Sequence, residues 1–231
     1  FNLPVYEDIL MKKNYTDINQ YIAALWLQLE KPADQETTGS LLPLKKPYVV
    51  PGGRFREVYY WDSYFSALGL LESDQIILVE SLLENFVDLQ SRYGCIPNGN
   101  RSYFLSRSQP PVLGLMVELI LPFKQDAKQF LIKHIKGIES EYRFWMQGHE
   151  FLSDENSENN RVVKMPDGSF LNRYWDDNCS PRPESYREDI ELYQESQLEN
   201  PESFYRNIRA ACESGWDFSS RWLAKPHSLA S

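Results

Sequence analysis

Apolar residues recur three and four positions apart in segment after segment of this 231-residue chain. That spacing places them on one face of an α-helix, so the pattern predicts a predominantly helical protein. Glycine and proline stand at several of the segment ends, where helices commonly stop. We count seven or eight such helices. The chain is long enough for one domain with a substantial core.

The strongest of these patterns begins after Ser73, which is a suitable helix cap, and runs to Tyr93. Gly94 follows, at the position where glycine commonly adopts the left-handed conformation that ends a helix. A helix with two apolar stripes is typically buried on more than one side. The stripes here are Ile76, Val79, Leu83 and Phe86 on one side and Leu78, Leu82 and Leu89 on the other.

Further helices are predicted from capping residues and apolar spacing. The first follows Thr16 or Asp17 and carries an apolar stripe over residues 18–29 that we expect in the core. A long helix lies between its cap, Asp126, and Gly148. The other predicted helices cover residues 62–71, 112–121, 190–197 and 203–214.

One stretch departs from the helical pattern. Residues 161–165 and 169–175 flank a Pro-Asp-Gly sequence at 166–168. Proline presets one turn angle and glycine accepts another, so this sequence predicts a short β-hairpin. The predicted fold class is therefore all-α with a small β-hairpin near residues 161–175.

Charge and cysteine content exclude several classes of protein. The net charge is −9 and no block of Lys or Arg occurs, which argues against nucleic acid and anionic membranes as partners. No apolar run approaches the length of a membrane span. Cys95, Cys179 and Cys212 are widely spaced, and we expect them to be buried or partly buried. With three scattered histidines, we expect neither a metal nor another cofactor. The sequence leaves the compartment open.

A glycine pair followed by arginines and aromatic residues stands at residues 51–65, PGGRFREVYYWDSYF. Arg54 offers a planar fork of donors, Asp62 accepts hydrogen bonds, and Trp61 presents a flat face. Such groups suit a polyhydroxylated ligand, whose hydroxyls need partners and whose C–H faces lie on rings. The alternative is a glycine turn followed by an aromatic segment that packs in a core.

A second polar stretch, IPNGNRSYFLSRSQ at residues 96–109, lies between two hydrophobic helices. Asn-Gly marks a turn within it. Most stretches of this composition are solvated loops. The alternative is a loop at the mouth of a helical barrel that offers donors to a sugar.

These stretches resemble the trehalases, the glycosidases that split α,α-trehalose into two glucoses. PGGRFREVYYWDSYF looks like their first signature, and IPNGNRSYFLSRSQPP, RYWDDNCSPRPESYRED and SGWDFSSRW resemble three further family stretches in the same order. Together they span most of residues 40–225. The resemblance implies an (α/α)₆ barrel, two concentric rings of six helices, and an inverting hydrolase that acts on a disaccharide.

The resemblance also implies roles for individual residues. Asp217 matches the catalytic general acid, which must hold a proton near neutral pH through burial or a neighbouring carboxylate. Without the resemblance, Asp217 would be an ordinary turn carboxylate and the Arg182–Glu184 pair a helix-start salt bridge. The residues that match substrate-binding positions are Arg54, Trp61, Asp62, Asn98, Arg107, Ser108, Gln109, Arg182, Pro183, Glu184 and Gly215.

The sequence departs from the family pattern after Asp217. The family's second signature, Gln-Trp-Asp-x-Pro, is absent, and no Glu follows that would serve as general base. We therefore expect residues 1–231 to be part of a single catalytic domain with an incomplete barrel. We expect weak or no activity from the chain alone, and a complementing C-terminal segment as a partner.

Three alternatives to a trehalase remain open at this point. A trehalase-like chain without its base would serve as a non-catalytic trehalose-binding protein. A barrel glycosidase acting on a different glucoside would share the fold and many contacts. A degraded gene product without function is the third.

Overall fold

The computed structural model describes residues 15–35, 39–196, 198–217 and 219–222. Within these ranges the chain forms seven α-helices, which confirms the predicted all-α class. They are α1 (Ile18–Leu29), α2 (Tyr60–Glu72), α3 (Ile76–Tyr93), α4 (Leu113–Ile120), α5 (Ala127–Trp145), α6 (Tyr186–Ser196) and α7 (Pro201–Glu213).

Five short strands accompany the helices in the described residues. Strands β1 (Glu30–Lys31) and β2 (Tyr48–Val49) pair antiparallel. Strands β3 (Glu158–Asn159), β4 (Val162–Lys164) and β5 (Phe170–Asn172) form an antiparallel sheet in which β4 is central. The predicted hairpin is therefore confirmed in β4 and β5. Strand β3 was not predicted, because its sequence is polar and does not alternate with apolar residues.

Helix α3 lies at the centre of the main hydrophobic core and packs against α2, α4, α5 and β2. Its two apolar stripes are buried, as predicted, apart from a partly buried Ile76. Gly94 ends the helix with a φ of 82°, and its N–H donates to the Gln90 carbonyl. The predicted cap is wrong, because Gln75 stands at the cap position and the Ser73 hydroxyl instead donates to the Gly69 carbonyl.

Helix α1 begins as predicted but lies on the surface. The Asp17 side chain caps it by accepting from the Asn19 N–H. None of its residues is fully buried, and Ile18 is 67% exposed. The expectation of a core stripe is therefore wrong for most of this helix. Only Trp26 and Leu29 pack against the main core, as partly buried side chains.

A buried tyrosine ties the start of α2 to α4 and α5. The Tyr60 hydroxyl accepts from the N–H groups of Val112 and Leu113 at the beginning of α4, at 3.0 and 2.6 Å. It donates to the Glu141 carboxylate on α5. Because these contacts satisfy otherwise unpaired N–H groups at the start of α4, they fix that end of α4 against the start of α2.

Helices α6 and α7 carry a smaller core of their own. Phe204, Tyr205, Ile208 and Cys212 on α7 are buried together, with Tyr193 of α6 packed against them. Pro201 opens α7, and the Asn200 side chain caps it by accepting from the Ser203 N–H. This second core places the end of α7 beside the polar loop that follows α3.

The cysteines match the prediction. Cys95 and Cys212 are buried, Cys179 is partly buried, and all three are free thiols. Among the residues that the structure describes, no helix combines the length and apolar character needed to cross a membrane.

Candidate active site

A cleft of about 270 Å³ opens where the start of α2, the loop after α3, the segment before α6 and the end of α7 meet. Nine of the twelve residues predicted to form the site line it. The full lining comprises Pro51, Phe55, Tyr59, Trp61, Asp62, Asn98, Phe104, Arg107, Gln109, Arg182, Glu184, Cys212, Gly215 and Asp217.

The first turn of α2 presents Trp61 and Asp62 to this cleft. Tyr60 is the first residue of this helix. Its N–H donates to the Asn98 carbonyl, which ties the helix start to the loop after α3. The Trp61 N–H donates to Oε1 of Gln109 at 3.0 Å, which satisfies an unpaired helix-start donor. Burial raises the pKa of Asp62, and the charge of Asp217 raises it further. The charges of the two aspartates therefore repel each other within the cleft.

Asn98 holds the polar loop of residues 96–109 together. Its backbone N–H donates to the Arg107 carbonyl at 3.0 Å. Its side-chain Nδ2 donates to the carbonyls of Ser108 and Cys212, at 3.2 and 3.3 Å. The loop is therefore a buried, hydrogen-bonded unit and not the solvated loop that its composition also allowed.

Arg107 is only 1% exposed and lies against the ring of Phe104. Its Nη2 pairs with the Glu184 carboxylate, and its Nη1 lies 3.9 Å from Oδ2 of the buried Asp176. Within the described residues, Nε and Nη1 of Arg107 have no hydrogen-bond partner. A buried guanidinium with unused donors at a cleft wall is suited to bind oxygen atoms of a ligand.

Arg182 is held by a different carboxylate. Asp189 on α6 accepts from Nε and Nη2 of Arg182 and from its backbone N–H, at 2.6–3.1 Å. Nη1 donates to Sγ of Cys212 at 2.9 Å. Burial lowers the pKa of Arg182, but the hydrogen bonds to Asp189 and the nearby acidic groups of Cys212, Asp189 and Glu184 together raise it above its ordinary value. The guanidinium therefore stays charged and fixed in orientation.

The end of α7 supplies Gly215 and Asp217. Gly215 has a φ of 69° and turns the chain toward the cleft. Trp216 is 48% exposed and its ring lies 6.1 Å from that of Trp61. The Asp217 residue is exposed, so the burial expected of a general acid is not provided by the described residues. The Asp62 carboxylate, which the charge of Asp217 affects, lines the same cleft.

Three predicted residues do not line the cleft. Arg54 is exposed and lies over the ring of Phe55. Ser108 is buried behind the cleft, where its N–H donates to Glu213. Pro183 is exposed and opens the short helical turn before α6.

The cleft also contains residues that sequence reasoning missed. Pro51, Phe55 and Tyr59 belong to the first motif and Phe104 to the second, so their position in those motifs was an available signal. Cys212 lies in α7, outside the four motifs, so no sequence signal indicated that it lines the cleft. Among the described residues, no cluster of three or more His, Cys, Asp or Glu is arranged to hold a metal ion.

The cleft thus combines aromatic walls with charged donors and acceptors held by neighbouring side chains. Trp61, Phe55 and Tyr59 offer apolar faces, while Arg107 and Arg182 offer fixed forks of donors. Asp62 and Glu184 accept hydrogen bonds. This combination is typical of a site for a small polyhydroxylated molecule.

Comparisons with known proteins agree with this geometry. A sequence model of the family described as trehalase matches residues 2–231. The periplasmic trehalase of Escherichia coli O1:K1 / APEC is 48% identical over 230 residues, which is 99% of this chain. A periplasmic trehalase of Shigella flexneri serotype 5b is 47% identical over the same share. The chain spans 40% of the length of these relatives.

A solved structure shows the same fold. Neutral trehalase Nth1 from Saccharomyces cerevisiae superposes with a TM-score of 0.59 and is 30% identical. The match covers 76% of this chain and 34% of the yeast protein. The likeness supports the predicted all-α barrel type of fold with its small hairpin sheet. On the family match and the extent of the sequence identity, the chain belongs to the trehalase family.

Proposed function

We propose that this chain forms the substrate cleft and carries the general acid of an inverting hydrolase that converts α,α-trehalose to two glucose molecules. The observation that carries the proposal is the convergence of nine predicted residues, from four separate stretches of sequence, on one cleft. Family membership and the fit of the cleft to a polyhydroxylated ligand support it.

Each binding residue has a role that its chemistry suits. Arg107 and Arg182 donate to ring hydroxyls, Asp62 and Glu184 accept from them, and Trp61 packs on a sugar face. Asn98 and Gln109 are amides, able to donate and accept, and they also brace the cleft through the hydrogen bonds described above. Because buried partners are left unpaired when a hydroxyl is missing or inverted, such a site discriminates between sugars.

Catalysis in an inverting glycosidase needs two carboxyl groups, ~6.5–9.5 Å apart, on opposite sides of the scissile bond. Asp217 gives its proton to the departing glycosidic oxygen as the bond to carbon breaks. A base on the other side takes a proton from water, whose oxygen attacks the sugar carbon. We assign that base to a segment outside these 231 residues, because the resemblance implies a Glu later in the sequence than Asp217 and no Glu follows Asp217 here.

We propose accordingly that residues 1–231 are part of a single (α/α)₆ catalytic domain. A C-terminal segment supplies the base and completes the enclosure of Asp217. Arg54 and Pro183 are exposed and stand next in sequence to cleft-lining residues, and we propose that a ligand or that segment reaches them. Ser108 acts behind the cleft wall, through its backbone.

Glucose release from trehalose tests the proposal. It is measured for the 231-residue chain alone, for the chain mixed with the C-terminal segment of a trehalase, and for the whole protein. We expect turnover by the whole protein and the mixture, and little by the chain alone. Robust turnover by the chain alone would show that the base has been assigned wrongly.

The alternatives give different results in the same assays. Trehalose binding without hydrolysis, even with the C-terminal segment present, would identify a non-catalytic sugar-binding protein. Faster hydrolysis of another glucoside than of trehalose, in a panel of glucosides, would identify a glycosidase of different specificity. Absence of both binding and turnover in the whole protein would reject the proposed function.

A further inference from the structure

Glu213, the last residue of α7, is a fully buried carboxylate that lies outside the cleft lining. Its Oε1 accepts from the Ser108 N–H at 2.8 Å. Its Oε2 accepts from the Trp175 N–H, also at 2.8 Å, and from Nη1 of Arg161. One side chain therefore connects the end of α7 to the loop after α3 and to both ends of the segment that carries β4 and β5.

The contact with Ser108 lies directly behind the substrate cleft. Ser108 stands between Arg107 and Gln109, both of which line the cleft. Its carbonyl accepts from the Asn98 side chain, which also donates to the Cys212 carbonyl at the end of α7. Both backbone polar groups of Ser108 are thus tied to the last turn of α7. That turn leads, four residues later, to Asp217.

Arg161 supplies the charge that makes a buried carboxylate tolerable. It is 2% exposed, and its guanidinium lies 3.9 Å from the centre of the Phe144 ring and 5.3 Å from that of Trp145. Burial raises the pKa of Glu213, and the ion pair with Arg161 and the two backbone amides oppose that rise. Because Arg161 immediately precedes β4, the small sheet is connected to the cleft through this pair.

We propose that Glu213 is a positioning residue that sets the place of Arg107 and Gln109 relative to the end of α7 and Asp217, an inference that rests on the proposed trehalose hydrolysis. A carboxylate is needed, because both oxygens accept and three N–H groups donate to them. In Glu213→Gln, one of the two carboxylate oxygens is replaced by an NH₂ group, which donates and does not accept. That group would face either the Ser108 N–H or the Trp175 N–H and Arg161, all of which are donors. The loop would then shift away from α7, and ligand contacts by Arg107 would be lost.

The first test measures trehalose binding at equilibrium in the whole protein. The Asp217→Asn background is used so that bound trehalose is not consumed. Calorimetry compares this variant with the double variant that also carries Glu213→Gln, at a temperature where circular dichroism shows both to be folded. We expect trehalose affinity to fall about tenfold or more with Glu213→Gln. A purely structural role would lower the melting temperature and leave the affinity of the folded protein unchanged.

Two further variants keep the test decisive. Glu213→Asp retains the charge but is one methylene too short to reach all its donors, and we expect weaker trehalose binding by a protein that still folds. Arg161→Lys disturbs the same cluster but retains the Ser108 contact and a cation, and we expect affinity within about threefold of its parent. Steady-state kinetics of Glu213→Asp, without the Asp217 substitution, should show a raised KM.

The outcomes separate this inference from the proposed function. If the unsubstituted protein neither binds nor hydrolyses trehalose, the proposed function fails. If it does both, and folded Glu213→Asp or Glu213→Gln binds trehalose as tightly as its parent, Glu213 is not a positioning residue. An affinity loss with Arg161→Lys as large as with Glu213→Asp would also overturn the inference, since the Ser108 contact would then not be the cause.

Discussion

Gly215 lies so close to the indole ring of Trp61 that no side chain fits between them. A Cβ atom added to Gly215 would stand 2.6 Å from Cε2 of Trp61. The residue also has a φ of 69°, in the left-handed region that other residues adopt only at a cost. The end of α7 and the start of α2 are therefore in contact through backbone and ring, beside the cleft.

Gly215→Ala should destabilise the protein and disturb the cleft. The left-handed backbone and the clash with Trp61 together predict a loss of about 2–4 kcal/mol in the free energy of unfolding. Urea denaturation measures this loss. Gly114→Ala is the matched control, because Gly114 lies in α4 with no atom within 4 Å of an added Cβ. It should be neutral or slightly stabilising, and equal effects at the two positions would contradict the clash.

Asp217→Asn should abolish turnover and leave the fold intact. A general acid contributes typically 10²–10⁴-fold to a rate, so we expect kcat on trehalose to fall by about that factor. Because Asp217 is exposed within residues 1–231, the melting temperature of the 231-residue chain should hardly change, while turnover is measured in the whole protein. Asp154→Asn, at a side chain that is 94% exposed on the surface, should retain full activity. Turnover near the unsubstituted level in Asp217→Asn would refute the assignment of the acid.

Asp189→Asn should weaken both stability and trehalose binding. Breaking one side of a buried ion pair costs about 3–5 kcal/mol, because the Arg182 charge is left without its partner. Because Arg182 is then no longer held in position, the KM for trehalose should rise. Glu191→Gln should change neither stability nor KM. Glu191 lies on the same helix in an exposed pair with Arg187, a class of pair that contributes at most about 1 kcal/mol. Denaturation and steady-state kinetics together check both effects.

The buried pair of Tyr60 and Glu141 predicts a dependence of stability on pH. Burial raises the pKa of Glu141 to about 7, and the hydrogen bond from Tyr60 only partly opposes that rise. Between the ordinary glutamate pKa of about 4.3 and pH 7, the folded protein binds more protons than the unfolded chain. The free energy of unfolding should therefore fall as pH rises through this window and level off above it.

Glu141→Gln isolates this effect. The amide that replaces the carboxyl group is not ionisable, but its oxygen still accepts from the Tyr60 hydroxyl. The difference in unfolding free energy between the unsubstituted protein and Glu141→Gln should decrease by about 3 kcal/mol from pH 4.5 to pH 7. Urea denaturation across this range measures it. A difference that is constant with pH would show that the pKa of Glu141 is not raised by burial.

Much of the local structure was predictable from neighbouring residues. The caps Asp17 and Asp126 each accept from an N–H two or three positions later, and Gly94 ends α3 as expected. The turn at residues 166–168 connects β4 and β5. Ser73 was mispredicted as a cap because its hydroxyl bonds back to Gly69 and accepts from the distant Trp26 indole.

The site was predictable in part. The resemblance of the four motifs to trehalase stretches indicated nine of the cleft residues. Ser108 was assigned to the ligand, yet its backbone N–H donates to a carboxylate 105 residues away. No spacing within either stretch indicates such a partner.

The sequence by itself determined the helices, their glycine and aspartate ends, the hairpin and the four motifs. These depend on contacts between residues a few positions apart, which the order of residues specifies directly. Only the tertiary structure decided that α1 lies on the surface and that Asp189 pairs with Arg182. It also decided that Glu213 accepts a hydrogen bond from the loop behind the cleft. A buried charge needs a partner wherever packing brings one, and packing brings together residues whose separation along the chain carries no signal.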